Sequence, residues 1–179
     1  MIDFKTADLC DDFPSLIQIA TPLLQNYGGL TSFCGKIVTV QAFDDNTLVK
    51  EELEKSGKGQ VLVVDGGAST RCALVGNQLA QVGCDNNWSG IVVNGCIRDS
   101  QDISKIAIGL KAINTVPNKS SKKGMKNINI LVSFAGITFH PKHYLYADED
   151  GIVLADRDLL HPKQERPNQI TQQLGEKQK

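Results

Sequence analysis

Apolar and polar positions alternate most clearly over residues 33–43 (FCGKIVTVQAF), where β-branched residues recur as they do in a half-buried strand. Residues 46–55 (NTLVKEELEK) change to helical spacing, with Asn46 as the expected cap and Val49 and Leu53 on one face. Ser56-Gly57-Lys58-Gly59 ends that helix, glycine being suited to the left-handed position past a helix terminus. Thr6 heads a short helix as its cap. Residues 60–65 (QVLVVD) form a short apolar run of strand type, and Gly66-Gly67-Ala68-Ser69 reads as a tight turn after it. Another helix is expected over residues 78–83, followed by a second strand-to-turn unit at Ile91-Val92-Val93-Asn94-Gly95. Strand candidates continue at residues 106–113, 128–134, 137–140, 144–146 and 152–154. Short strands dominate the second half, so the pattern predicts a mixed, β-rich α/β or α+β sandwich rather than a strict doubly wound sheet.

A chain of 179 residues with 41% hydrophobic residues suits one domain with a well-buried core. Residues 1–158 read as that domain. Residues 159–179 are rich in Gln, Lys, Glu, Pro and Asn, and read as a flexible polar tail outside the core. Lysine and arginine number 19 against 20 acidic residues, so no global field recruits nucleic acid or an anionic membrane. The five cysteines form no Cys-x-x-Cys pair, and the first residues lack the basic and apolar regions of a secretory signal. Reduced thiols in the cytoplasm are therefore expected. No apolar stretch approaches the roughly 20 residues that span a bilayer.

Candidate chemistry concentrates in Gly76-Asn77-Gln78-Leu79 and in Arg98-Asp99-Ser100-Gln101-Asp102, which follows the apolar run Ile91-Val92-Val93. The planar donors of Arg98 match the two oxygens of a substrate carboxylate. Asp99 suits a hard divalent cation, because magnesium often takes one or two protein carboxylates and fills its other positions with water and substrate oxygens. A solvent-facing Arg and Asp in a turn is the bland alternative. Val61-Leu62-Val63-Val64-Asp65-Gly66-Gly67 lacks the third glycine and the lysine of a phosphate loop, so a glycine turn is the better reading. His140-Pro141-Lys142-His143 lacks the one-face helical spacing of a metal pair. Lys119, Lys122, Lys123 and Lys126 make a basic loop, read as solvated or as an attractor for a dianion. No lysine stands out as a Schiff-base former, and Cys96 reads as packing because no base partner is evident.

Taken in order, Thr6-Ala7-Asp8-Leu9-Cys10-Asp11, Tyr27-Gly28-Gly29, Phe43-Asp44-Asp45-Asn46, Val61 to Gly67, Asn94-Gly95-Cys96-Ile97-Arg98-Asp99 and Tyr146-Ala147-Asp148-Glu149-Asp150-Gly151 resemble the RraA-like family. That family takes in a regulator of ribonuclease activity and metal-dependent 4-hydroxy-4-methyl-2-oxoglutarate aldolases. The resemblance implies a swivelling β/β/α sandwich with flanking helices, assembled as a homotrimer or a multiple of it. It implies that Gly76, Asn77, Gln78 and Leu79 bind substrate, that Arg98 clamps a small 2-oxo acid, and that Asp99 holds Mg2+ or Mn2+. Asp102 would orient water at that metal. In some members an acidic residue from a neighbouring chain completes the site, and its counterpart is not identified in this sequence. Many aldolases carry Asp where this chain has Asn77, which neither holds a negative charge nor takes a proton. The implied activity is pyruvate release by retro-aldol cleavage or by oxaloacetate decarboxylation. The other implied role is inhibition of an endoribonuclease by direct binding, without catalysis.

Overall fold

The computed structural model describes residues 4–121 and 127–161. In chain order the elements are α1 (Thr6–Asp12), β1 (Ile17–Ile19), β2 (Gln25–Asn26), β3 (Phe33–Gln41), α2 (Thr47–Leu53) and β4 (Gln60–Val75). There follow α3 (Asn77–Asp85), β5 (Gly90–Ile97), α4 (Ser100–Ile103), β6 (Gly109–Thr115), β7 (Asn127–Ile128), β8 (Val132–Phe134), β9 (Ile137–Phe139), β10 (Tyr144–Ala147) and β11 (Ile152–Ala155). One large sheet runs β1-β11-β10-β3-β4-β5-β6-β2, with β7 also on β3, and β8 and β9 form a separate hairpin. Strands β3 to β6 are parallel neighbours, while the outer pairs are antiparallel.

Period-two alternation sorts the central strands between two cores. Val40, Leu62, Val64, Ile91, Val93 and Leu110 join Val49, Leu53 and Ala80 of the helices. Ile37, Val61, Val63 and Val92 turn the other way and meet Val132, Ile137 and Phe139 of the hairpin. The layers are therefore hairpin, sheet and helices, the mixed, β-rich β/β/α arrangement. A one-residue register slip would exchange the two cores, so burial on both faces fixes the pairing. Phe33 lies directly over Gly90 and Gly109, where an added Cβ would come within 2.2 and 2.0 Å of its ring. No helix among the described residues is long and apolar enough to cross a membrane.

Several elements differ from the sequence pattern for definable reasons. The Gly66 to Ser69 segment is no turn, because β4 continues for 16 residues and absorbs the glycines as register shifts against β5. Gly67 and Ala68 take positive φ there, and Asp65 Oδ1 accepts the Gly67 N–H (3.0 Å) and the Asn94 amide (2.8 Å). The 128–134 run divides at Asn129, whose φ is 53°. Asn46 occupies the cap position of α2 without a side-chain cap bond; instead Asp45 Oδ1 accepts the Thr47 N–H and hydroxyl at 2.9 and 2.7 Å. Strands β1 and β2 and helix α4 are too short to produce a readable period. Leu159 is buried with Leu9, Tyr146 and Ala155, so packing continues beyond Asp158; residues 162–179 lie outside the described residues.

Thr6 is helical rather than a cap, and its N–H and hydroxyl both donate to Asp148, each at 2.7 Å. Burial pushes the Asp148 carboxyl up, but bonds from Thr6, Asp150 and Gly151 together hold it below its usual 3.8. A depressed carboxylate contributes stability that is complete above its unfolded value and is lost as pH falls through the folded one. Asp148→Ala is expected to destabilise the fold by about 2–3 kcal/mol near neutral pH, since buried donors lose a charged acceptor. The difference from wild type should shrink in acid, as read by denaturant melts across pH 7 to 3.

Candidate functional site

Strands β4 and β5 end side by side, with Val75 in register with Ile97, and the chain leaves both ends into the same space. Ligand sites in such sheets lie beyond the carboxyl ends of parallel strands. Gly76 caps α3 on one side, while Arg98 and Asp99 leave β5 on the other. The first intrahelical bond of α3 is Ala80 N–H to Gly76 O (3.0 Å), which places the Gln78 and Leu79 N–H groups ahead of the helical ladder. Asp99 has φ 58° and caps α4; aspartate tolerates this left-handed conformation better than most residues. Its Oδ2 accepts the Asn77 N–H (3.3 Å) and lies 3.5 Å from Arg98 Nε.

Gly76 is required by close approach. A Cβ there would stand 2.8 Å from Asp99 Oδ2 and 3.3 Å from Arg98 Nε. Gly76, Asn77, Gln78, Leu79, Arg98 and Asp99 line one cavity of about 410 Å³. Asp102 is elsewhere: it is exposed, pairs with Lys105 at 3.6 Å, and does not line this cavity.

The remaining walls were not evident from the sequence. Asn46 and Lys50 come from the α2 region, and Lys119 and Ser120 from the segment after β6. The apolar face of residues 46–55 gives no sign of Lys50, and Lys119 belongs to the basic loop that reads as solvated or as an attractor for a dianion; Lys122, Lys123 and Lys126 lie outside the described residues. Only the order of β3, β4, β5 and β6 brings these segments together. The cavity is thus lined by three cations, Lys50, Arg98 and Lys119, and one carboxylate, Asp99, with Lys50 also paired to Glu54 at 3.6 Å; the excess of cations in the lining favours an anionic ligand.

No group of three or more His, Cys, Asp or Glu is positioned to hold a metal among the described residues, which excludes a closed zinc-type cage formed by them. Asp99 does fit a hard cation ligated mainly by water and substrate: Oδ2 is held by its neighbours, and Oδ1 has no hydrogen bond among the described residues.

Other candidates fall outside this cavity. His140 and His143 stack at 4.6 Å, and burial together with His140 lowers the His143 pKa. Cys96 is buried, and burial raises its thiol pKa, so a packing role stands. Lys111 was overlooked as an apolar-strand lysine: it is 2% exposed on β6, and burial lowers its pKa, but it does not line the cavity. Trp88 is buried, with its indole N–H on Lys55 O at 3.0 Å.

A profile described as "Aldolase/RraA", of the RraA-like family, matches residues 6–154. A Dechloromonas aromatica (strain RCB) protein named "Putative 4-hydroxy-4-methyl-2-oxoglutarate aldolase" is 54% identical over 87% of this chain and 98% of its own. An Aromatoleum aromaticum protein of the same name is 51% identical over 89% of this chain and 100% of its own. Among solved structures, "RNA-processing inhibitor RraA from Thermus thermophilis" is 35% identical, with a TM-score of 0.83 over 95% of this chain and 98% of that one. A Geobacillus kaustophilus structure titled as an S-adenosylmethionine: 2-dimethylmenaquinone methyltransferase is 47% identical, with a TM-score of 0.86 over 88% and 98%.

Gly76→Ala is expected to displace Asp99 and Arg98 while leaving the buried core intact. Misplacement by about 1 Å at such a site costs on the order of a hundredfold. Mn2+ binding in the presence of oxalate should weaken sharply by paramagnetic titration, with the melting temperature nearly unchanged.

Proposed function

Because this chain belongs to the RraA-like family, we propose that it is a carbon–carbon lyase that releases pyruvate from small 2-oxo acids. The proposed substrates are 4-hydroxy-4-methyl-2-oxoglutarate and oxaloacetate. The observation that carries the reading is the cavity itself, lined by Arg98, Lys50, Lys119 and Asp99 beside a helix N-terminus. Both substrates are dianions. The names of the relatives above half identity support the same activity.

Arg98 would fork onto the carboxylate next to the 2-oxo group, and the Gln78 and Leu79 N–H groups at the start of α3 would share that anion. Lys50 and Lys119 would take the distal carboxylate. Asp99 would hold Mg2+ or Mn2+, which when bound supplies a Lewis acid for the 2-oxo oxygen. In the aldol cleavage the 4-hydroxyl loses its proton, C4 becomes a carbonyl, and the C3–C4 bond breaks. Its electron pair moves into the enolate of pyruvate, whose negative oxygen Arg98 stabilises. Protonation at C3 completes the first pyruvate, and the C4 fragment is the second. Decarboxylation of oxaloacetate reaches the same enolate without deprotonating a hydroxyl.

Asn77 divides the two reactions. Its amide is able to bond the 4-hydroxyl but not to accept the proton, so this chain should favour decarboxylation more than a relative with Asp there. The cytoplasm suits the chain, because all five cysteines are free thiols. The assembly that goes with this reading is a homotrimer or a multiple of it. Inhibition of an endoribonuclease is the second reading, supported by likeness to the Thermus protein.

Pyruvate release from both substrates, followed with Mg2+ or with chelator, tests the proposal. Asp99→Ala and Arg98→Ala are each expected to lower the metal-dependent rate by at least about a hundredfold, the scale of losing a preorganised electrostatic contact. Asn77→Asp should raise the ratio of aldol cleavage to decarboxylation, within the roughly 10²- to 10⁴-fold contribution of general acid–base catalysis. An unchanged ratio would remove the assigned role of Asn77. Release no faster than with metal alone would leave the regulatory reading.

A further inference from the structure

In the tetrapeptide Phe43-Asp44-Asp45-Asn46 only Asn46 lines the pocket, yet the two carboxylates before it brace segments that do. Asp45, 3% exposed, secures the first turn of α2 through Thr47, and α2 carries Lys50. Asp44 does something different. Its φ is 55°, and its carboxylate gathers three side chains of the β4 excursion: Ser69 Oγ (2.6 Å) and Cys72 Sγ (3.5 Å) on Oδ1, and Arg71 Nε (2.9 Å) on Oδ2.

The same region holds the segment that carries Lys119. Residues 116–121 leave β6 and cross the ends of β5 and β4 toward Asp44. Val116 N–H donates to Ile97 O (2.9 Å), Ala73 N–H to Asn118 O (2.8 Å), and the Asn118 amide to Arg71 O (3.0 Å). At the far end the Ser121 N–H (2.9 Å) and hydroxyl (2.8 Å) both donate to Asp44 O. The pins at Asn118 and Ser121 leave Lys119 and Ser120 between them, and both of these line the cavity. One pin is on β4 and the other is on Asp44, so their separation depends on the bonds between the Asp44 carboxylate and β4.

We propose that Asp44 is a positioning residue for the distal carboxylate of the substrate: by locking its own backbone to Ser69, Arg71 and Cys72, it stretches the 116–121 strap so that Lys119 faces the pocket. This rests on the reading of the pocket as a dicarboxylate site. Asp44 touches no substrate in this account and acts only through Lys119. The consequence is selective: weakening the tie should impair ligands with a second carboxylate and spare those without one.

The test uses 2-oxoglutarate, a dicarboxylate with no 4-hydroxyl for cleavage, and pyruvate, a monocarboxylate, titrated calorimetrically with Mg2+ into the full chain. Asn is the conservative replacement because it tolerates positive φ. Asp44→Asn is expected to weaken 2-oxoglutarate by about three- to tenfold, the scale of a lost hydrogen-bonding contact, with pyruvate unchanged. Lys119→Ala should do the same, and the double variant should bind no more weakly than Lys119→Ala alone. Additive losses, or equal loss for both ligands, would overturn the proposal as a general structural effect. Should Asp44→Asn fail to fold, Asn118→Ala, at an exposed residue, removes the side-chain bond of the other pin and must show the same selectivity. Wild-type protein that binds both ligands equally would overturn the dicarboxylate reading itself, whereas preference for 2-oxoglutarate that survives Asp44→Asn overturns only the role of Asp44.

Discussion

The parallel pairing of β4 with β5 constrains everything around the pocket. The strands keep strict register from Val61 and Gly90 to Asp65 and Asn94, then touch at Ser69–Gly95 and Ala73–Cys96, with a register shift before each, and meet at last at Val75 and Ile97. Between those points β4 takes ten steps where β5 takes three, so the surplus chain must leave the plane of the sheet. The buried Asp65–Asn94 bond marks where the excursion starts, and burial of Val75 and Ile97 marks where it ends. Bulges of this kind re-aim chain without ending a strand. Here the bulged chain supplies the anchors for Asp44 and the Ala73 wall, while its end delivers Gly76 against Asp99.

This accounts for how much was legible. The strands at 33–43, 60–65 and 91–95 were readable, the first by alternation and the others as short apolar runs, but their burial on both faces between two cores was not, because a continuous apolar run does not say which face meets which layer; the motifs that line the cavity were readable because Gly-Asn-Gln-Leu and Arg-Asp sit directly at strand ends. The excursion was not, because glycines that end a strand and glycines that bulge one have the same composition. Thr6 looked like a cap for a similar reason: a hydroxyl before an apolar run is a local signal, whereas its partner Asp148 is 142 residues away. Lys50 was missed and Lys119 was left between solvent and a dianion, because a charged side chain has no period and only topology decides whether it faces solvent or a cavity.

The site also shows why fold likeness and chemistry are separate questions. Solved relatives of this fold are titled as an RNA-processing inhibitor and as a methyltransferase, while relatives closer in sequence are named aldolases. Asp99, in a left-handed conformation with no hydrogen bond on Oδ1 among the described residues, and Gly76, kept small to admit it, are the features that bear on the ligand-site proposal rather than on a docking surface. Those features cost conformational freedom and make sense where a ligand is held against fixed groups.

The charge arrangement sharpens the point. None of the three cations at the pocket, Lys50, Arg98 and Lys119, is buried, and Lys50 also pairs with Glu54 at 3.6 Å. Each is nevertheless carried by a firmly bonded piece of backbone: Lys50 on a helix secured at Asp45, Arg98 by its N–H on Val75 O, and Lys119 on a strap pinned at Asn118 and Ser121. The backbone of the walls is therefore set before any ligand arrives, and a dianion needs little rearrangement of it. Preorganisation of this kind is how a site stabilises charge that develops during a reaction, and its anchors, Asp44 and Asp45, lie behind the groups that would touch the substrate.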